Sequence, residues 1–125
     1  MIDFTLDPVS GVPFYKQIID QIRFGISRGN LKTGEQLPTV RSLAVQLQIN
    51  LNTVSKAYKE LEIQRVLETQ QGTGTFIGAE PVRIAPEEAR EKLRSICSEF
   101  LSITSCYGFT VEEIISELKM LKGKK

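Results

Sequence analysis

Histidine is absent from this chain, and cysteine occurs only twice, at Cys97 and Cys106. Without histidine the commonest metal ligand and general base are missing. The two thiols form no C-x-x-C pair and no other metal-type spacing. On one helix, nine residues at about 1.5 Å each would hold them roughly 13 Å apart, beyond the ~7 Å between Cα atoms that a disulfide tolerates. They read as small buried apolar residues in a reducing compartment. No apolar run approaches membrane-spanning length. The start, M-I-D-F-T-L-D, has two acids where a signal peptide would carry bases. The expected compartment is the cytoplasm, with no membrane partner.

Catalytic equipment is equally sparse. There is no Walker-type loop, and the carboxylates are scattered on helical faces, mostly beside Lys or Arg. The segment G-T-G-T-F-I-G from Gly72 to Gly78 lacks dinucleotide-binding spacing, and Pro81 follows where a helix should begin. No enzyme, cofactor or metal site is expected. Excess charge is missing too: the net charge is +1. Residues 1–78 hold 8 basic and 7 acidic side chains, and residues 79–125 hold 8 of each. Any binding of nucleic acid must therefore depend on where charge sits, not on how much there is.

What is present points there. The chain has 125 residues, 41% hydrophobic and 25% charged, which suits one folded domain with an appendage. Residues 1–12 read as extended and then turning at Pro8 and Gly11. Pro13 suits the first turn of a helix to about Arg28, with Phe14, Ile18, Ile19, Ile22 and Ile26 on its buried stripe. Glu35–Leu37 can pair as an edge strand. Thr39 caps a second helix, Val40–Leu47, whose stripe is Val40, Leu43, Ala44 and Leu47. Asn50 or Asn52 caps a third, running to about Gln64, with Val54, Ala57, Tyr58 and Leu61 on its stripe. Val66–Gln70 and Thr75–Gly78 then read as strands of a hairpin around Q-G-T-G. Helix, helix, helix and hairpin make a winged helix-turn-helix, so the fold class is mostly α with a small β-hairpin wing.

From Glu35 to Glu60 no acid intervenes, while Arg41, Lys56 and Lys59 do. Opposite the apolar stripe of the third helix lie Asn52, Lys56 and Lys59, with Ser55 on the flank. Asn can read adenine, and Lys can reach guanine or phosphate. Asn50, Leu51 and Thr53 stand at the helix start, where a recognition helix meets base edges. Arg41 opposes the dipole of its own helix, which a phosphate or guanine partner would explain. In the tip Gln71, Gly72, Thr73 and Gly74, glycines allow close backbone approach to DNA.

Ala79–Ala85 is a linker, and Pro86 opens a long helix to about Tyr107, with Leu93, Ile96, Cys97, Phe100, Leu101 and Tyr107 as its stripe. Thr110–Glu113 is a capping box for a last helix, lined by Val111, Ile114, Ile115, Leu118 and Leu121. The tail Lys119–Lys125 is lysine-rich. These two helices are too short to enclose a sizeable pocket. Packing on each other hides part of their stripes, and a second copy of the chain hides the rest. Leu93, Ile96, Cys97, Phe100, Leu101, Tyr107, Ile114, Ile115 and Leu118 are thus the expected dimer residues. The domains are 1–78 for DNA binding, 79–85 as linker and 86–125 for dimerisation or effector response. The alternative is a winged-helix module for protein contact, favoured by the near-zero net charge. A steep fall of binding with salt would separate the two.

At these residues the chain resembles the GntR family of bacterial transcription regulators. Their signature runs P-x-Y-x-Q-I, then G-x-L-x-x-G-x-x-L-P-S/T-x-R-x-L-A, then N-T-V-x-K/R-A-Y-x-x-L-E, then G-x-G-T-F/Y-V/I, and it spans Pro13–Ile77 here. The short two-helix tail is similar to the YtrA subfamily. The resemblance implies a winged-helix homodimer on a palindromic operator, usually a repressor and often of transporter genes, with a small-molecule effector left open. It implies DNA contacts by Arg41, by Asn50, Leu51, Asn52, Thr53, Ser55 and Lys56, and by the wing tip Gly72, Thr73 and Gly74. Three departures stand out. Leu51 replaces an arginine common outside this branch, so base preference cannot be transferred. Gln71 replaces a basic residue before the wing glycine. Q-R-V-L replaces the usual E-G-L, which leaves the shape of that corner open.

Overall fold

The computed structural model describes residues 2–123. The backbone forms two compact units, the first ending at Ile84 and the second starting at Ala85.

The first unit is built on three helices and a small sheet. Helix α1 spans Phe14–Ser27. Pro13 stands just before it in an extended conformation rather than inside its first turn. Ile18 and Ile22 are fully buried and Ile19 nearly so, while Phe14 and Ile26 are half-buried at the stripe's ends. Strand β1 is Gln36–Leu37, α2 is Val40–Leu47 and α3 is Leu51–Ile63. Strands β2 (Leu67–Gln70) and β3 (Gly74–Ile77) follow, β2 starting one residue later than expected and β3 displaced by one residue towards the N-terminus. The sheet order is β1-β3-β2, antiparallel throughout, with Leu37 opposite Thr75 and Leu67 opposite Ile77.

One core joins these elements: Ile18 and Ile22 of α1, Leu43 of α2, Val54, Ala57, Tyr58 and Leu61 of α3, and Leu37, Leu67 and Ile77 of the sheet. Every apolar position of α3 inferred from periodicity is buried. Val82, in the segment without helix or strand that follows the sheet, packs against this core.

The N-terminal arm is held without a sheet. The Gln17 amide accepts from the Asp7 N–H at 2.8 Å and donates to the Asp7 carbonyl at 2.9 Å. One turn later, Gln21 accepts from the Thr5 N–H at 3.1 Å and donates to its carbonyl at 2.6 Å. Two glutamines four residues apart thus do for an extended chain what a neighbouring strand would do. That docking buries Phe4.

Two corners carry left-handed backbone without glycine: Gln48 at φ 57° and Arg65 at φ 63°. Such a conformation crowds Cβ against the following carbonyl. Arg65 takes this left-handed conformation where the resemblance would place a glycine. The Val66 N–H bonds the Leu61 carbonyl at 2.8 Å, as a left-handed helix end requires.

The second unit comprises α4 (Pro86–Cys106) and α5 (Val111–Gly123). Its capping box forms as expected: Thr110 N–H donates to Glu113 Oε1 at 2.9 Å, and Glu113 N–H donates to Thr110 Oγ1 at 3.2 Å. Lys124 and Lys125 of the lysine-rich tail lie outside the described residues. Two expectations are corrected here. Cys97 and Cys106 are exposed, not buried. The two helices cover each other's stripes less than expected: neither has a buried residue, and of the stripe residues only Ile114 is half-buried. The cause is shared: a stripe on a lone helix is hidden only if another surface lies fully over it, and within this unit none does. No helix among the described residues is long and apolar enough to cross a membrane.

Candidate nucleic-acid interface

The geometry of α2 and α3 follows from three short-range devices. Thr39 Oγ1 accepts from the Ser42 N–H at 3.0 Å and starts α2. Gln48, left-handed, stops it, and the Ile49 N–H returns to the Ala44 carbonyl at 3.0 Å. Asn50 Oδ1 then accepts from the Asn52 N–H at 2.7 Å and starts α3. A fourth bond is tertiary: the Tyr58 hydroxyl donates to the Pro38 carbonyl at 2.7 Å. It ties the middle of α3 to the residue preceding the α2 cap. Burial pushes the Tyr58 hydroxyl far above the ordinary phenol range, so it stays a donor.

This frame presents the expected residues outward. Arg41, Asn50, Leu51, Asn52, Lys56 and Lys59 are exposed, and Thr53 and Ser55 are half-buried on the flank of α3. Asn50 is partly committed, since its carbonyl oxygen caps the helix, while its amide N–H groups remain available. Leu51, at the first helical position, is 40% exposed despite its size. Its apolar surface suits a thymine methyl rather than guanine, unlike an arginine in that place. Arg41, in the first turn of α2, makes no ion pair among the described residues. Glu60 stands beside Lys56 and Lys59 on the same flank, so the cationic field of the outer face weakens beyond Lys59.

At the wing, the Thr73 N–H closes the turn on the Gln70 carbonyl at 2.9 Å, and Gly72 takes φ 81°. Gln71, Gly72 and Thr73 are exposed at the tip. Gly74 differs from them, being the first residue of β3 with φ 139°. A Cβ there would meet Gln36 Nε2 at 2.5 Å. That amide donates to the Thr73 carbonyl at 3.1 Å. The absent side chain of Gly74 therefore seats Gln36, which braces the wing from β1.

One residue that sequence reasoning missed also belongs to this surface. The Lys56 ammonium sits 3.9 Å from the centroid of the Tyr15 ring. Tyr15 lies on the α1 stripe and packs against the core, but it is far from α3 in sequence, so no periodicity could pair it with Lys56.

In the second unit, Leu93, Ile96, Cys97, Phe100, Leu101 and Tyr107 of α4, and Ile115 and Leu118 of α5, are all exposed, while Ile114 is half-buried. Val111 and Leu121 of the α5 stripe are exposed as well, and Ile103, Phe109 and Met120 extend the exposed apolar surface beyond the residues inferred from sequence.

Comparison with known proteins places these features in a group. The model of the bacterial regulatory proteins of the gntR family matches residues 14–77. The chain is 37% identical over 88% of its length to the uncharacterized HTH-type transcriptional regulator YhcF of Bacillus subtilis, covering 90% of that protein. It is 50% identical over 58% of its length to the HTH-type transcriptional repressor YtrA of the same organism, covering 55% of it. Among solved structures, YtrA from Sulfolobus acidocaldarius, a GntR-family transcription factor, aligns over 96% of this chain and 97% of its own at TM-score 0.55 and 32% identity. The AraR DNA-binding domain in complex with operator ORX1 aligns over 59% of this chain and 92% of its own, at TM-score 0.52 and 30% identity.

Proposed function

This chain belongs to the GntR family of bacterial regulatory proteins, in its YtrA subfamily, and on that premise we propose that it is a homodimeric repressor of a palindromic operator. The family consists of helix-turn-helix transcriptional regulators, and the chain is one of them rather than an enzyme. Residues 1–78 bind DNA: α3 lies in the major groove, Arg41 contacts the backbone or a guanine at its edge, and the wing tip follows the neighbouring phosphates. Residues 86–125 pair two copies, which puts the two α3 helices about one duplex turn, roughly 34 Å, apart.

The observation that carries the reading is the division of α3. Val54, Ala57 and Leu61 are 0% exposed and Tyr58 is 1% exposed, while Asn52, Lys56 and Lys59 stand in solvent on the other side. A helix fastened so firmly by one face has only its amide and ammonium face to offer. The uncovered apolar surface of α4 and α5 supports self-association, since patches of this kind mark protein interfaces. The operator complex of a structural neighbour supports the docking mode.

The test is selection of duplexes from a random pool, followed by a salt titration on the selected sequence. The reading expects an inverted repeat bound by two protein copies, with log K falling steeply on log salt. Recovery of no duplex above background, or binding indifferent to salt, would point instead to the protein-contact module that the net charge of +1 favours.

A further inference from the structure

Lys56 is not loose on the outer face of α3. Its ammonium lies over the Tyr15 ring at 3.9 Å, well inside the distance at which an aromatic face attracts a cation. The ring is half-buried and packed against the core of the first unit. It is therefore a rigid platform. A solvated lysine samples many rotamers and loses them when it contacts a phosphate or a base edge. A lysine already seated has given up part of that freedom before DNA arrives. The contact does not use up the lysine, because an ammonium has three N–H donors. One can point at the ring while the others face away from it. Lys59 has no comparable seat among the described residues.

We propose that Tyr15 is a positioning residue for DNA recognition: its ring holds the Lys56 ammonium ready for the duplex, so operator affinity depends on a side chain of α1, outside the helix-turn-helix. The inference rests on the reading that α3 is the recognition helix.

The experiment is a double-mutant cycle on the duplex selected with the wild-type protein. Tyr15→Leu keeps apolar packing but removes the aromatic face, Tyr15→Phe keeps the face, and Lys56→Ala removes the cation. Circular dichroism melting confirms that each variant folds. Tyr15→Leu is expected to weaken operator binding by about two- to fivefold, the size of an exposed cation–π contact. Tyr15→Phe should restore it. In the Lys56→Ala background, Tyr15→Leu should have no further effect. In the free protein, NMR should find the Lys56 ε-methylene protons shifted upfield by the ring current in wild type and Tyr15→Phe, and not in Tyr15→Leu. An undiminished Tyr15→Leu effect without Lys56, no effect of Tyr15→Leu in the wild-type background, failure of Tyr15→Phe to restore binding, or no ring-current shift overturns the inference and leaves the repressor reading standing. If the wild-type protein selects no duplex, both fall together.

Discussion

Replacing Tyr58 by phenylalanine removes one oxygen and tests what holds the helix-turn-helix in shape. Tyr58 is 1% exposed, and its hydroxyl donates to the Pro38 carbonyl at 2.7 Å. Phenylalanine keeps the ring and opens almost no cavity. The cost is therefore that of a buried carbonyl left without its donor, about 1–2 kcal/mol. Guanidinium chloride denaturation at one fixed protein concentration, followed by circular dichroism at pH 7, measures it. A pH series adds a second signature. The folded-state pKa of Tyr58 is raised by burial, so the proton is held more tightly in the native than in the unfolded chain. Below pH ~10, the unfolded value, both states are protonated and the contribution is complete. Above it the unfolded state ionises alone, and stability falls by up to about 1.4 kcal/mol per pH unit towards the folded pKa. Tyr58→Phe should lack that part of the alkaline decline. A variant as stable as wild type at pH 7, or one with an unchanged alkaline slope, would refute the argument.

Arg41→Ala should weaken operator binding by about 1–3 kcal/mol and leave the melting temperature unchanged or slightly higher, because a cation leaves the positive end of α2; filter binding and calorimetry check the two halves. Arg65→Gly should stabilise the protein by about 0.5–1 kcal/mol, the left-handed strain of about 1–2 kcal/mol less the extra freedom of glycine in the unfolded chain. A destabilised Arg65→Gly would mean that the arginine side chain holds the corner. On the proposed pairing of two copies, Phe100→Asp should lower the molar mass in sedimentation equilibrium to that of a monomer, since a carboxylate buried in an apolar seam loses its hydration without a partner; a molar mass equal to that of the wild type would remove α4 from the interface.

Much of the candidate interface was legible because it is written in local chemistry. Thr39, Asn50 and Thr110 cap helices through bonds to residues two or three places away, and the α3 stripe is a matter of turns of 100°. The left-handed turns were not legible, because Gln48 and Arg65 are not residues that advertise positive φ. Gly74 looked like part of the wing tip, and its seat for Gln36 depends on β1 lying beside β3.

The cysteines show the other limit. A stripe can be read from sequence, but whether anything covers it is decided by neighbours, and none lies against Cys97 within its unit. So the order of residues alone determined which segments coil, where they begin to within a residue or two, and which side of α3 is apolar, since each depends on contacts within a turn or two of backbone. Only the tertiary fold decided that Tyr58 reaches Pro38, that Gln17 and Gln21 grip the arm, and that Tyr15 carries Lys56. Those pairs lie between 10 and 41 positions apart, and nothing in local periodicity links residues that meet only when separate helices, turns and strands close on one core.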